Sequence, residues 1–334
     1  MRALLVVNPK ATTTSERSRN VLMRALRTEM ELRVGETRRR GHAAELARQA
    51  VRDKLDAIVV LGGDGTVNEV VNGMLAGPAP ASGGSPVRSN LPSLAVVPGG
   101  STNVFARALG MPNDAIEATG AILEAMHDGR TRTVSLGRVD GRYFTFCAGF
   151  GLDAEVVRKV ERARLRGKVS TPALYIRSTV TQFFLDTERH TPKISLERPG
   201  ERALAGLSTV IIQNTAPWTY LGNRPINPCP DASFDTGLDV MALRGLHTPA
   251  TALTIAKLLA GRRSLVPAVV GRARGGKATT TERTDSGQSL TLHDLSGFTL
   301  TTSRPVALQV DGDYLGERTK ATFTAIPEAL RVFA

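Results

Sequence analysis

Residues 56–69 read Asp-Ala-Ile-Val-Val-Leu-Gly-Gly-Asp-Gly-Thr-Val-Asn-Glu, and this stretch decides the fold. Its opening apolar run reads as a short buried strand. Beyond the glycines, Val67, Val70, Val71 and Met74 recur at helical spacing with polar residues between them. The glycines therefore stand where a strand hands over to a helix. In a parallel α/β sheet that junction binds anions, because backbone N–H groups are exposed and the helix N-terminus is partly positive. Gly62, Gly63 and Gly65 allow close approach of backbone to a phosphate. Asp64 is the odd residue there. A carboxylate beside a phosphate is repelled unless a cation lies between them, so Asp64 points to a Mg²⁺ bridge.

Working outward, residues 2–8 and 31–34 read as strands, and Leu94-Ala95-Val96-Val97 as a further buried strand ended by Pro98-Gly99-Gly100. Helices are expected over 16–29, from Gly41-His42, over about 67–76, from Asn103 and over 113–127. Residues 77–86 are rich in Gly, Pro, Ala and Ser and read as a solvated loop. This alternation argues for a parallel sheet with helices on both faces. Near residue 130 the texture changes. Alternating segments flank Asp140-Gly141, a hairpin signal. After a helical insert over about 153–186, strands are expected at 193–197, 207–213, 238–244, 289–293, 297–302, 305–310 and 321–326. The second half is thus β-rich and antiparallel.

The chain has 334 residues, enough for two domains. With 41% hydrophobic and 22% charged residues its composition is that of an ordinary globular protein. No apolar run approaches the roughly 20 residues of a membrane-spanning helix. The apolar start, Ala3 to Val7, is too short for a signal peptide and runs into Asn8-Pro9. Cys147 and Cys229 stand far apart, without disulfide or zinc spacing, which suits a reducing cytoplasm. The net charge of +12 favours anionic partners: nucleic acid, acidic membrane surface or phosphorylated substrates. An aromatic content of 4% lacks the stacking platforms of a single-strand nucleic-acid binder. Basic clusters at Arg158–Lys168 and Arg262–Lys277 read either as surfaces for anionic lipid or as solvated faces. The five histidines show no ligand spacing.

The segment from Gly62 to Gly73 resembles the signature of the diacylglycerol kinase catalytic domain family, shared by bacterial lipid kinases, diacylglycerol kinases and sphingosine kinases. Further blocks agree in the family's order: Val6-Val7-Asn8-Pro9, Gly41-His42-Ala43, Pro98-Gly99-Gly100-Ser101-Thr102-Asn103-Val104-Phe105-Ala106-Arg107, Gly149-Phe150-Gly151-Leu152-Asp153-Ala154 and Val310-Asp311-Gly312-Asp313. The resemblance implies an NAD kinase-like α/β domain over 1–130 that binds ATP and a β-sandwich over 131–320 for the lipid. Residues 321–334 would return to the first domain. It implies an ATP- and Mg²⁺-dependent kinase that phosphorylates a hydroxyl of diacylglycerol or a similar lipid. Such an enzyme would be cytoplasmic, in peripheral contact with anionic membrane and without nucleic acid; a homodimer is left open.

By the same resemblance, ATP is lined by Asn8, Pro9, Lys10, Ala11 and Thr12, by Thr37, by Gly62, Gly63, Asp64, Gly65, Thr66, Val67, Asn68 and Glu69, and by Gly100, Ser101, Thr102 and Asn103. None of these segments is a Walker A loop. Ser101 stands where the family usually has Thr. Asn103 is also read as a helix N-cap. Asp64 would hold the catalytic Mg²⁺, often through water, and Asp311 would take the proton of the lipid hydroxyl. The other reading of Asp311-Gly312 is a hairpin turn. Asp313 replaces the family's Glu. Asp235 would hold a second, structural Mg²⁺, although Thr236 separates it from Gly237. Two rival readings stay open at this point. One is an NAD kinase-type phosphotransferase, against which the Ser101–Arg107 block speaks. The other is a non-catalytic lipid- or nucleotide-binding regulator on the same scaffold.

Overall fold

The computed structural model describes residues 1–11, 16–77, 91–151, 194–244, 282–285 and 289–334. The solvated loop past Gly77, the helical insert over 153–186, both basic clusters, the block residues Leu152 to Ala154, His190, His247 and Thr12 lie outside the described residues. The chain divides into two compact units, Met1–Leu136 with Ile326–Ala334, and Gly137–Ala325.

In the first unit β1 (Arg2–Val7), β2 (Glu31–Glu36), β3 (Ala57–Gly62) and β4 (Ser93–Pro98) form a parallel sheet in the order β2-β1-β3-β4. β3 and β4 are buried along their whole length, as strands covered on both faces are. On one face, Leu22 and Leu26 of α1 (Glu16–Glu29) and Ile122 and Ala125 of α5 (Ala115–His127) cluster with Leu5, Val7, Val59, Leu61 and Val97. Leu4, Val6, Ile58 and Val60 alternate with that set and are buried on the other side. There α2 (His42–Arg52) touches β1, α3 (Asp64–Met74) touches β3, and the two helices pack on each other. Gly73 permits that packing, since a Cβ there would strike the backbone of Ala44. Val332 pairs in parallel with Leu94, and Phe333 joins the first cluster.

The helix expected from about residue 67 begins at Asp64 instead. Gly63 is extended, and its carbonyl accepts from Thr66 and Val67 at 2.9 and 3.1 Å, so the turn is a single residue long. An acid in the first helical turn interacts favourably with the helix dipole.

In the second unit the expected antiparallel sheet is found. β5 (Thr131–Val139), whose residues from Gly137 belong to this unit, and β6 (Arg142–Phe144) make the expected hairpin, with Asp140 and Gly141 both at positive φ (46° and 89°). β7 (Cys147–Gly151), β10 (Thr209–Gln213), β13 (Leu238–Leu243), β14 (Glu282–Asp285), β15 (Ser289–Leu295) and β16 (Gly297–Val310) are ordered β14-β15-β13-β10-β7-β16. β8 (Ile194–Glu197) pairs with β16 and with β9 (Leu204–Leu207). A separate ribbon joins β11 (Thr219–Leu221) and β12 (Arg224–Ile226). Phe144, Phe150, Phe298 and Phe323 centre the core, with the last two rings stacked at 5.1 Å. The two strands expected at 297–302 and 305–310 are one. Its register against β17 (Asp313–Phe333) shifts between Thr301 and Val306, where Pro305 has no N–H to donate. Cys147 and Cys229 are free and buried, as their spacing suggested.

Candidate active site

β1, β2, β3 and β4 run in parallel and end at Val7, Glu36, Gly62 and Pro98, so the segments that follow them share one edge of the sheet. Hydrogen bonds knit those segments together. The Asn8 amide donates to the Leu61 carbonyl at 3.0 Å and its side-chain nitrogen to Thr66 Oγ1 at 3.0 Å. The Lys10 amide donates to Asn8 Oδ1 at 3.0 Å, and the Thr37 amide to the Val7 carbonyl at 2.8 Å. Pro9 and Lys10 are exposed, and Ala11 is half-buried. Gly63 and Gly100 meet backbone to backbone: a Cβ on Gly100 would come within 2.7 Å of the Gly63 Cα. The two glycine segments thus form one cradle that a side chain at either position would wedge apart.

Asp64 fastens the same pair of segments from below. Its Oδ2 accepts from the Thr102 hydroxyl at 3.2 Å and the Val104 amide at 3.1 Å, and its Oδ1 from the Phe105 amide at 3.1 Å. Burial raises the Asp64 carboxyl above its ordinary value, against the opposing pull of those three donors. Asp64 is therefore the carboxylate cap of α4 (Val104–Ala108), the role the sequence suggested for Asn103. Asn103 stands at the N-cap position in a left-handed conformation (φ 49°), and its side chain caps nothing. It folds the cradle instead, accepting from the Gly100 amide at 2.7 Å and donating to the Gly100 carbonyl at 2.9 Å and Asn113 Oδ1 at 2.9 Å. Ser101 is exposed and Thr102 half-buried beside it.

Other residues of the expected set face inward. Thr66, Val67 and Asn68 are buried. Glu69 reaches back to cap α2 across the helix pair, Oε1 accepting from the Gly41 amide at 2.7 Å and Oε2 from the Ala43 amide at 3.2 Å. Glu69→Gln would set an NH₂ group against one of those N–H donors. We expect it to cost about 1–3 kcal/mol of stability, read from denaturant midpoints; an unchanged midpoint would show the cap to be idle.

In the second unit Asp311 closes β16. It and Gly312 both have positive φ (48° and 82°), so the hairpin-turn reading holds. The residue is 5% exposed, and its carboxylate does more than turn the chain. Oδ2 accepts from the Thr145 amide at 2.7 Å and the Thr145 hydroxyl at 2.9 Å, and Oδ1 from the Phe146 and Cys147 amides, both at 3.1 Å. Asn214 braces that cradle, its side chain donating to the Thr145 carbonyl at 2.9 Å and its amide to the Phe146 carbonyl at 2.8 Å. A carboxylate offers about four lone-pair sites, and here all are engaged. To receive a proton, Asp311 must release a donor, and the Thr145 hydroxyl is the one that rotates freely. Asp313 lies 3.8 Å from Arg142. Asp235 is exposed on a turn, its amide donating to Ser233 Oγ at 3.2 Å. Among the described residues no group of three or more His, Cys, Asp or Glu is placed to hold a metal ion.

One polar cluster had no local signal. Asp239, 2% exposed, accepts from His293 Nδ1 with both oxygens (2.8 and 2.9 Å) and from the Asp294 amide at 3.1 Å. Burial raises its carboxyl above the ordinary value. The pair lines a cavity of about 290 Å³ with Cys229 and Asp231. Burial, and then the two aspartates, push the Cys229 thiol well up, so it is no reactive thiolate. The partners lie 54 residues apart in sequence, beyond any spacing rule.

Residues 2–139 match the family model of the diacylglycerol kinase catalytic domain. A diacylglycerol kinase of Bacillus subtilis (strain 168) is 37% identical over 138 residues, 41% of this chain and 40% of that protein. One of Staphylococcus haemolyticus (strain JCSC1435) is 34% identical over 158 residues, 47% of this chain and 43% of that one. The matched part spans about two fifths of the length of these relatives. A crystal structure of a diacylglycerol kinase from Bacillus anthracis str. Sterne superposes with a TM-score of 0.65 at 19% identity, covering 99% of this chain and 96% of that one. A second structure from that strain gives 0.71 at 20% identity with the same coverage. At such identity the likeness establishes the shared fold.

Proposed function

We propose, from the diacylglycerol kinase catalytic domain that residues 2–139 carry, that this chain moves the γ-phosphate of ATP to a hydroxyl of diacylglycerol or a related lipid. The observation that carries the reading is the cradle at the sheet edge, where Gly63 and Gly100 touch and Asp64 ties their segments together. Glycine turns at strand ends, beside a helix N-terminus, suit a phosphate chain. Phosphoryl transfer asks mainly for positioning and charge stabilisation, which such a cradle supplies.

Asp64 suits Mg²⁺ held through water. The three bonds from Thr102, Val104 and Phe105 leave one of the carboxylate's roughly four lone-pair sites for such a water. Mg²⁺ keeps several waters and needs only one or two carboxylates besides the substrate phosphates. When bound, the ion neutralises charge on the phosphate oxygens. Asp235 has no carboxylate or imidazole partner with metal-holding geometry among the described residues, and we propose no second ion there. Asp311 is our candidate base. As the lipid oxygen bonds to the γ-phosphorus and the bond to the bridging oxygen breaks, the hydroxyl proton passes to Oδ2, and ADP leaves. Among the described residues no helix is long and apolar enough to cross a membrane; we propose peripheral contact with an anionic surface from the net charge of +12.

The test is transfer of labelled phosphate from ATP to a lipid panel in mixed micelles, with Asp64→Asn as the control. Labelling of NAD and of no lipid would favour the NAD kinase-type rival. Gly100→Ala is a second check. A methyl group there drives the two glycine segments apart, and a misplacement of about 1 Å costs on the order of 100-fold in rate. We expect kcat/KM for ATP to fall by about that factor and the melting temperature to drop as well, since backbone must shift to admit the methyl; a normal kcat/KM in the folded variant would show that nucleotide does not lie across the cradle.

A further inference from the structure

Charge at the nucleotide edge is unbalanced. Val7 lies opposite Glu36 in the β1–β2 register, and the Thr37 amide bonds to the Val7 carbonyl, so segments 8–11 and 37–41 leave the sheet side by side. The acids around them are engaged. Glu36 pairs with Arg19 at 2.7 Å, and Glu45 holds Arg39 with both oxygens at 2.8 Å. Glu69 accepts from Gly41 and Ala43, and Asp64 from Thr102, Val104 and Phe105. Among the described acids near these segments, Glu16, opening α1, is exposed without such a bond. Against this, Lys10 and Arg38 are exposed, and neither side chain has an ion pair or hydrogen bond among the described residues. The Arg38 backbone is fixed, its amide donating to His42 Nδ1 at 3.2 Å. The turn from Gly62 to Thr66, by contrast, holds no Lys or Arg at all.

A triphosphate needs cationic partners, and these segments lack a Walker lysine. We propose that Arg38, together with Lys10, clamps the phosphate chain of the bound nucleotide. The proposal rests on the nucleotide reading above and adds Arg38 as a recognition residue. A guanidinium matches two phosphate oxygens at once and stays charged at any working pH. Because both groups are exposed, their attraction is screened by salt.

The experiment is calorimetric titration of the full chain with MgATP at 50 and 300 mM NaCl, for wild type, Arg38→Ala, Arg38→Lys and Arg38→Glu. The side chain is exposed and makes no hydrogen bond or ion pair among the described residues, so all variants should melt like wild type. We expect Arg38→Ala to weaken binding about tenfold at low salt and about threefold at high salt. Arg38→Lys should stay within about threefold of wild type, and Arg38→Glu should be the weakest. Binding of Arg38→Ala within twofold of wild type at both salts overturns the clamp. So does a loss that ignores salt and is shared equally by Arg38→Lys. If wild type itself does not bind MgATP, the nucleotide reading falls and the clamp with it.

Discussion

Asp64→Asn is expected to lower phosphate transfer at least about 100-fold and, separately, to destabilise the chain without any ligand. The first effect follows from charge. Asn cannot neutralise or orient a hydrated Mg²⁺, and losing one such group at a transition state of concentrated charge costs on the order of 10²–10³ in kcat. The second follows from the bonds. If the Asn oxygen keeps the Thr102 hydroxyl and the Val104 amide, its NH₂ group faces the Phe105 amide, donor against donor. A buried donor left in that state costs about 1–3 kcal/mol. Labelled-phosphate assays and thermal melts of the same preparation separate the two. Full activity with a lowered melting temperature would leave Asp64 as a cap alone and remove it from the chemistry.

The bonds of Asp64 explain what the sequence could and could not say about it. Its position between glycines, at a strand-to-helix handover, was legible because both sides have strong periodicity. Its partners were not, because they lie some 40 residues away and bond through backbone amides that no residue type announces. Asn103 shows the converse. Read locally, an Asn before Val104-Phe105-Ala106 is a cap. In the structure the α4 amides are already taken by Asp64, and the Asn103 side chain is turned back onto Gly100. The four-stranded parallel sheet is readable from its apolar runs, whereas α3 begins three residues before the apolar spacing predicts, because that spacing does not register Asp64-Gly65-Thr66. In the second unit the Asp140-Gly141 hairpin was plain from its turn residues. The short strands β11 and β12 have no legible signal, because three residues carry no period. The His293–Asp239 pair depends on two strands being neighbours, which is information about topology.

The second large effect concerns Asp311, where the resemblance and the geometry pull in different directions. The resemblance makes it a base; the structure gives its carboxylate four donors and leaves the residue 5% exposed. Asp311→Asn alone cannot decide, because an amide in that cradle must face at least one N–H and destabilises the fold by about 1–3 kcal/mol whatever the role. We expect it to lower kcat about 10²–10⁴-fold, the range for loss of a positioned base. Thr145→Val supplies the decisive measurement. It removes the one rotatable donor and leaves the backbone amides in place. A hydrogen bond to the charged carboxylate favours that form, so its loss makes protonation easier. If Asp311 accepts the lipid proton, the acid limb of kcat against pH moves to higher pH in Thr145→Val, while the affinity for ATP stays that of wild type. If Asp311 only pins the segment 145–147, kcat drops by one factor at every pH and the limb stays where it was. A fixed limb, with both variants folded, would assign proton removal to another group and leave Asp311 as the clasp between β16 and β7.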